Sequence, residues 1–458
     1  MENEKDAPPG PNGRFLIGNV IDFAEDPLGF LLTCSHQYGD VAKLSKRSYL
    51  VSCPDLVEKI FHNKDAFYEK VDTADTRNNN SAFPHSVMSS AGANWRTKRR
   101  SLQPAFHRRP VFGEVDHTCT ITKNFLESWG ADPGVCDMRQ EMGRLCMLVG
   151  SRFLFGASVD VDDLRQITDM VDAIMSLTRS QIRFPAFFPT RGNLRLRRAR
   201  RGLDATMDRI VEQHRAPSAD RSCVLGILLR QDESGRSAWL RDELATMIMS
   251  GLEPMADALT WTFYLLALHV NAKEQIVGEV EALMKAQGSI SGADLLRLPI
   301  TAAAVKEALR LYPPAWTTGR IVMHDCRLGG FHIPAGTTLV VSQWVTHRDP
   351  RYFADPTEYR PERWLNKDFL AKLPRYAYFP FGGGARKCIG DHLAMSQLII
   401  VVALVTQAFD LELAPNADVR PYPALVLRPL GVRMSIAPRW TPAGNQDRAR
   451  SQSMRNLG

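Results

Sequence analysis

One cysteine in this chain of 458 residues stands in a setting that favours chemistry. Cys388 lies in the stretch Phe381-Gly-Gly-Gly-Ala-Arg-Lys-Cys388-Ile-Gly390, which leads into the apolar run Leu393 to Ala408. Three consecutive glycines predict a backbone that turns sharply and comes close to another group, because no side chain blocks the approach. A cysteine just ahead of a helical pattern meets unpaired N–H groups and the positive end of the helix dipole, and both favour the thiolate. Such a thiolate can act as a nucleophile, a metal ligand or the axial ligand of a haem. An isolated cysteine is also commonly a buried core residue. No second Cys or His stands at zinc-ligand spacing from Cys388, which argues against a zinc site.

The pattern Phe381-x-x-Gly384-x-Arg386-x-Cys388-x-Gly390 resembles the haem-thiolate signature of the cytochrome P450 superfamily. Three further segments resemble family motifs and occur in the family's order. Trp95-x-x-x-Arg99 places an indole N–H and a guanidinium on one helix face, a donor pair suited to a haem propionate. Glu307-x-x-Arg310 precedes Tyr312-Pro-Pro314, and Tyr359-Arg-Pro-Glu-Arg363-Trp364 is close to the family's Pro-Glu-Arg-Phe segment. A lone Glu-x-x-Arg is among the commonest exposed ion pairs, so its weight comes from its position among the others.

The resemblance spans Pro8 to Pro438 and implies a mainly α fold with a smaller β-rich region. Haem b would lie between the long helix and the helix after the cysteine loop, with Cys388 on the iron. Phe381, Gly384 and Gly390 would shape that loop, while Trp95, Arg99, Arg320 and Arg386 would neutralise the propionates. Glu307, Arg310 and Arg363 would form a buried structural charge cluster rather than a catalytic one. His347, in His347-Arg-Asp-Pro350, is expected to pack or hydrogen-bond rather than ligate. The implied activity is monooxygenation with O2 as co-substrate. Electrons would come from NAD(P)H through a ferredoxin or flavodoxin and its reductase, since no such domain is visible in the chain. Arg96, Lys98, Arg100, Arg108, Arg109 and Lys387 could form a basic docking patch or simply a solvated face.

One segment departs from the family. Arg241 to Val270 has sustained helical spacing and resembles the helix that crosses the oxygen-activating face, where the family carries Gly-x-acid-Thr. Here the segment reads Ser250-Gly251-Leu252-Glu253-Pro254. Proline has no hydroxyl to direct protons and no N–H for the Ser250 carbonyl, and its ring costs a helix interior about 3 kcal/mol. The expectation is a kinked helix with an opened groove, where Glu253, water or a substrate group relays protons. The alternative is non-standard haem chemistry: peroxide-driven oxidation, desaturation, coupling or rearrangement. A non-catalytic haem sensor would leave the distal carboxylate and the long pocket loops without purpose.

The elements that must position these groups follow from periodicity. Pro27 to Tyr38 and Leu56 to Phe61 read as helices, Val41 to Val51 as paired strands, and residues 112 to 230 as several amphipathic helices. Cys146 and Met147 there are expected in the core. Between Lys70 and Ser90 the periodicity stops, and by resemblance this loop forms pocket wall. Phe184 to Pro189 and the arginines from Arg191 to Arg201 resemble a lid, although an arginine run is as readily a solvated surface. Thr337 to Val345 reads as strands. Trp316, Thr317 and Thr318 are expected to face substrate. So are Leu425 and Val426, in a hairpin built from Ala424 to Leu427 and Gly431 to Ile436 whose tip is expected to reach the pocket. A medium-sized apolar substrate in specialised metabolism, such as a terpenoid, polyketide or fatty acid, fits this lining.

A net charge of +7 arises from scattered basic clusters with no nucleic-acid motif. Eight cysteines without a paired framework suit a reducing cytoplasm. Neither a signal peptide nor an 18-residue apolar window is apparent, so a soluble monomer without a membrane anchor is expected. The expected layout is a flexible stretch 1–7, one domain over 8–440 and a disordered tail 441–458.

Overall fold

The computed structural model describes residues 6–14, 18–62, 68–70, 83–131, 134–156, 188–215, 223–230 and 238–439, with isolated positions between 163 and 173. The expected disordered tail, most of the loop between Lys70 and Ser90, and Phe184 to Phe187 lie outside the described residues.

Helices dominate. The longest among the described residues, Ala238–Leu268, packs its first half into one apolar cluster and its second half, from Met255, into the largest one. It packs against Met138–Phe155, Pro299–Leu311 and Asp391–Ala408, and Arg108–Ala131 closes the other side. Asp391–Ala408 is apolar almost all round, and Leu398 to Val405 are buried without a break. Its hydropathy over 18 residues is 1.4, enough by length and composition to cross a membrane, which corrects the expectation that no such window exists. A helix apolar on every side must be buried somewhere, and this one is surrounded by other helices. None of the eight cysteines forms a disulfide, and Cys146 is fully buried.

The β-rich region is built at one side. Val41–Ser45, Ser48–Val51, Thr338–Val341, Thr318–Val322 and Tyr68–Lys70 form one five-stranded sheet in that order. The expected strand from Thr337 to Val345 stops at Val341, because the Ser342 hydroxyl caps a short helix, Gln343–Thr346, by accepting from the Val345 N–H. The expected C-terminal hairpin is also paired differently. Arg420–Pro423 pairs with Leu427–Leu430, leaving Ala424 to Val426 as the tip. Arg433–Pro438 instead joins Phe409–Leu413 and Val135–Asp137 in a second sheet.

Candidate active site

The cysteine loop is shaped by its glycines. Gly384 adopts a φ of +66°, and a Cβ there would lie 1.9 Å from the Phe61 carbonyl oxygen. A Cβ on Gly383 would strike the Tyr376 ring at 2.3 Å. The loop is thus pressed onto helix Pro54–His62, and any side chain at these positions would lift it. The Cys388 N–H donates to the Phe381 carbonyl at 3.0 Å, closing the loop on itself. Gly390 is the N-cap of Asp391–Ala408, and a Cβ on it would only touch the Phe106 ring.

Protein encloses Cys388 closely, and this burial pushes its thiol up; the Gly390 N–H, Arg99 and Lys387 pull it down. It nevertheless keeps an accessible face. His347 holds the approach to the loop: fully buried and kept neutral mainly by desolvation, it accepts the Phe379 N–H at Nε2 over 2.9 Å.

Three basic side chains and one indole meet beside this loop. Arg386 donates to the Ser90 carbonyl at 2.9 Å, with its guanidinium 4.4 Å from the centre of the Trp95 ring. Arg99 donates to the Lys387 carbonyl at 2.8 Å. Arg320 is 9% exposed, donates to the Gly319 carbonyl and the Thr318 hydroxyl, and lies 5.2 Å from the Phe61 ring centre. Burial pushes it down to about 10, and Arg386 adds repulsion. Among the described residues no carboxylate pairs with Arg320. A buried cation without an anion is costly, and a haem propionate is the kind of group that would relieve it.

Behind the loop, both oxygens of Glu307 are saturated. They accept from Arg310 at 2.8 and 2.9 Å, Arg363 at 3.0 Å, the Trp364 indole at 2.8 Å and the Arg360 N–H at 3.0 Å. Arg310 spends its remaining donors on the carbonyls of His347, Pro356 and Glu358. The cluster staples Pro299–Leu311 to the segment that leads into the cysteine loop.

On the long helix, Ser250 and Gly251 are exposed in an otherwise buried stretch, and a Cβ on Gly251 would meet nothing within 4 Å. Ile248 and Leu252 beside them share an apolar cluster with Ile389 and Leu393, which follow Cys388 in the chain. A thiol, an open helix face and a cationic rim around one apolar cluster suit a flat, apolar, dianionic cofactor.

Ala238–Leu268 is one continuous helix with Pro254 inside it. Two expectations are corrected here. Glu253 is not a free carboxylate: its Oε2 accepts from Arg139 and, at 2.7 Å, from Arg428. Two residues along a helix is a turn of about 200°, so Glu253 points away from the side that Gly251 opens. Trp316 lies in a core cluster with Leu28, Leu31 and Trp344 and donates to the Ala424 carbonyl at 3.0 Å, so it does not line the pocket. Thr317 reaches the Val341 carbonyl and Thr318 begins a sheet strand; both are half-buried. Val426 packs on Met249 of the long helix, while Leu425 is exposed.

The basic patch is also smaller than expected. Lys98 turns inward to the His85 carbonyl and the Ser90 hydroxyl, and Lys387 pairs with Asp391, whereas Arg96 and Arg100 are exposed. The side chains of Arg108 and Arg109 lie outside the described residues. A separate cavity of roughly 480 Å³ borders the glycine loop and is lined by His62, Arg375, Tyr376 and Lys387; neither Cys388 nor Gly251 reaches it.

The sequence reading missed the buried acids Asp242, Glu243 and Asp257 and the arginines Arg139 and Arg428. Acidic residues inside an apolar helical run were the available signal.

The cytochrome P450 family model matches residues 8–435. The chain is a cytochrome P450. A cyclooctat-9-en-7-ol 5-monooxygenase of Streptomyces melanosporofaciens is 31% identical over 89% of this chain and 90% of its own length. The pentalenene oxygenase of Streptomyces avermitilis is 28% identical over 94% of this chain and 97% of its own. The solved structure of a retinoic acid-bound cyanobacterial CYP120A1 superposes with a TM-score of 0.81, at 23% identity, over 94% of this chain and 99% of that one. This P450 is a haem-thiolate monooxygenase of mainly α fold, using haem iron and O2.

Proposed function

We propose that this P450 oxidises a medium-sized, apolar, terpenoid-like molecule with electrons from a ferredoxin or flavodoxin and its reductase. The observation carrying the substrate class is the pair of relatives named for cyclooctat-9-en-7-ol and pentalenene. The apolar cluster beside Ser250 and Gly251 supports it, since Phe83, Val87, Ile248 and Leu252 offer no charge to a substrate.

Cys388 would ligate the iron, with the Gly390 N–H moderating the sulfur's electron density. Arg320, Arg386, Arg99 and Trp95 would hold the propionates. The bound haem supplies reductive activation of dioxygen, and the protein supplies orientation and control of water. Pro254 brings no hydroxyl to this chemistry. Ser250, one turn earlier on the same helix face and exposed, places a hydroxyl where it can hold a proton-donating water. Electron delivery from outside is supported by exposed Arg96 and Arg100 and by the basic cavity beside the glycine loop. Eight cysteines without a disulfide suit the cytoplasm.

The test has two stages. The dithionite-reduced protein with carbon monoxide should give a Soret band strongly red-shifted from that of a His-ligated haem; a His-type band would remove Cys388 as ligand. A panel of cyclic terpene hydrocarbons and alcohols, incubated with a ferredoxin couple and NADPH, should then yield a product heavier by one oxygen atom. Pro254 favours one second reading, peroxide-driven oxidation, for which turnover with hydrogen peroxide and no reductase is the signature.

A further inference from the structure

Two successive carboxylates on the long helix, Asp242 and Glu243, are 0% and 1% exposed, and each reaches a different neighbouring element. Asp242 accepts the His85 N–H at 2.8 Å and pairs with Arg200 of helix Arg191–His214. Glu243 accepts the Val87 N–H at 2.7 Å and is attracted by Lys98 of helix Gly92–Leu102. Lys98 in turn donates to the His85 carbonyl and the Ser90 hydroxyl, and Arg386 donates to the Ser90 carbonyl. The segment from Phe83 to Ser90 has no regular secondary structure of its own. Its backbone is held on one side by these two acids and on the other by Lys98 and Arg386.

That segment belongs to the apolar space beside the cysteine. Phe83 and Val87 share a cluster with Ile248 and Leu252 of the long helix and with Ile389 next to Cys388. The Arg200 guanidinium sits 5.3 Å from the Phe83 ring centre, so the same arginine touches both the carboxylate and the wall it secures. Isolated buried carboxylates are expensive, and apolar residues of similar volume would hold a core together at lower cost. What apolar side chains cannot do is fix the register of an irregular backbone at alternate N–H groups. Among the described residues the Glu243 Oε1 atom has no hydrogen-bond partner, and burial pushes its carboxyl up to about 7 against the Val87 N–H and Lys98.

We propose that Asp242 and Glu243 are positioning residues for substrate, joining the segment Phe83 to Ser90 and the helix Arg191–His214 into one pocket wall whose placement sets the size of molecule accepted. Neither touches the cofactor-holding residues directly. The proposal rests on Cys388 being the iron ligand, and that premise is checked separately by the reduced carbon monoxide spectrum of the unmodified protein.

The experiment uses holoenzyme and two nitrogen ligands of the iron, imidazole and the bulky clotrimazole, titrated by the shift of the Soret band. Imidazole is too small to need the wall. In Asp242→Ala and Glu243→Ala, clotrimazole affinity should change about tenfold or more, the scale of losing one hydrogen bond to a charged acceptor. Imidazole affinity, haem content and the reduced carbon monoxide spectrum should stay as in the unmodified protein. Glu243→Gln keeps an acceptor for the Val87 N–H and should restore most of the clotrimazole affinity. If the alanine variants fail to fold, Arg200→Gln, which opens the joint from its half-exposed side, should shift clotrimazole binding alone. Unchanged clotrimazole binding in every folded variant overturns the proposal, as does a parallel loss of both ligands with haem, which would mark a purely structural role. A His-type reduced carbon monoxide spectrum of the unmodified protein would instead remove Cys388 haem ligation, the premise itself.

Discussion

The Glu253 carboxylate and the Arg428 guanidinium meet at 2.7 Å and tie the long helix to strand Leu427–Leu430. The same strand is fixed to the helix a second time, where the Trp261 indole donates to the Leu427 carbonyl at 3.1 Å. The hairpin tip that meets Met249 is therefore placed by two anchors on one helix. Arg139 bridges Glu253 and Asp257 from helix Met138–Phe155, so the group balances two acids with two bases.

Removing Arg428 should loosen this joint without emptying it, because Glu253 keeps Arg139. Both partners retain some solvent contact, with side chains 16% and 17% exposed. Arg428→Met is expected to cost about 1–3 kcal/mol in chemical denaturation, in the range for a hydrogen bond to a charged group. Arg428→Met combined with Glu253→Gln should cost less than the sum of the two single changes.

Pro254→Thr tests what the proline does. The substitution returns an N–H to the helix interior and introduces the hydroxyl that the family usually carries. Haem binding should be unaffected and thermal stability equal or higher, since proline costs a helix interior about 3 kcal/mol before compensation. Product formed per NADPH consumed should change; an unchanged ratio would mean that position 254 takes no part in proton handling.

Asp257 gives a pH signature. Complete burial pushes its carboxyl up to about 7, with Arg139 opposing and Glu253 reinforcing. A raised acid contributes stability that is fully present below its unfolded range near ~4 and is lost as pH rises through the folded value. Asp257→Asn should therefore be more stable than the unmodified protein at pH 8, with the advantage shrinking as pH falls towards 4. Denaturation midpoints at pH 5 and pH 8 check this sign.

Arg320→Met separates cofactor affinity from fold stability. Deleting a buried cation that has no described carboxylate partner and is repelled by Arg386 should leave the haem-free protein as stable or more so. Haem affinity should fall about tenfold, the loss of one charge-assisted bond. Soret-to-protein absorbance ratios on dilution measure the second effect and calorimetry of the haem-free protein the first.

Most of the cysteine loop was legible in the residues because its requirements are local. A backbone with φ of +66° at Gly384, against the carbonyl of Phe61, leaves no room for a side chain, and the glycine run announces that. Helix periodicity likewise anticipated Ala238–Leu268 to within a few residues. The hydroxyl of Ser342 that ends a strand was readable too, but β-rich composition on both sides hid it.

What only the tertiary structure decided is where charged and aromatic groups spend themselves. The partners of Glu253 lie 114 and 175 residues away, and no spacing rule connects them. Trp316 could have faced a pocket or a core until Leu28, Leu31 and Trp344 closed around it. Lys98 reads as one more member of a basic surface, yet it is consumed by a carbonyl thirteen residues back along the chain. Helical phase says which way a side chain leaves its own axis; only packing says what it meets there. The sequence by itself determined the cysteine loop and the helices that flank it, because backbone sterics and apolar periodicity act within a few residues. The pairing of buried acids and bases waited for the fold, because electrostatic partners are chosen by distance in space.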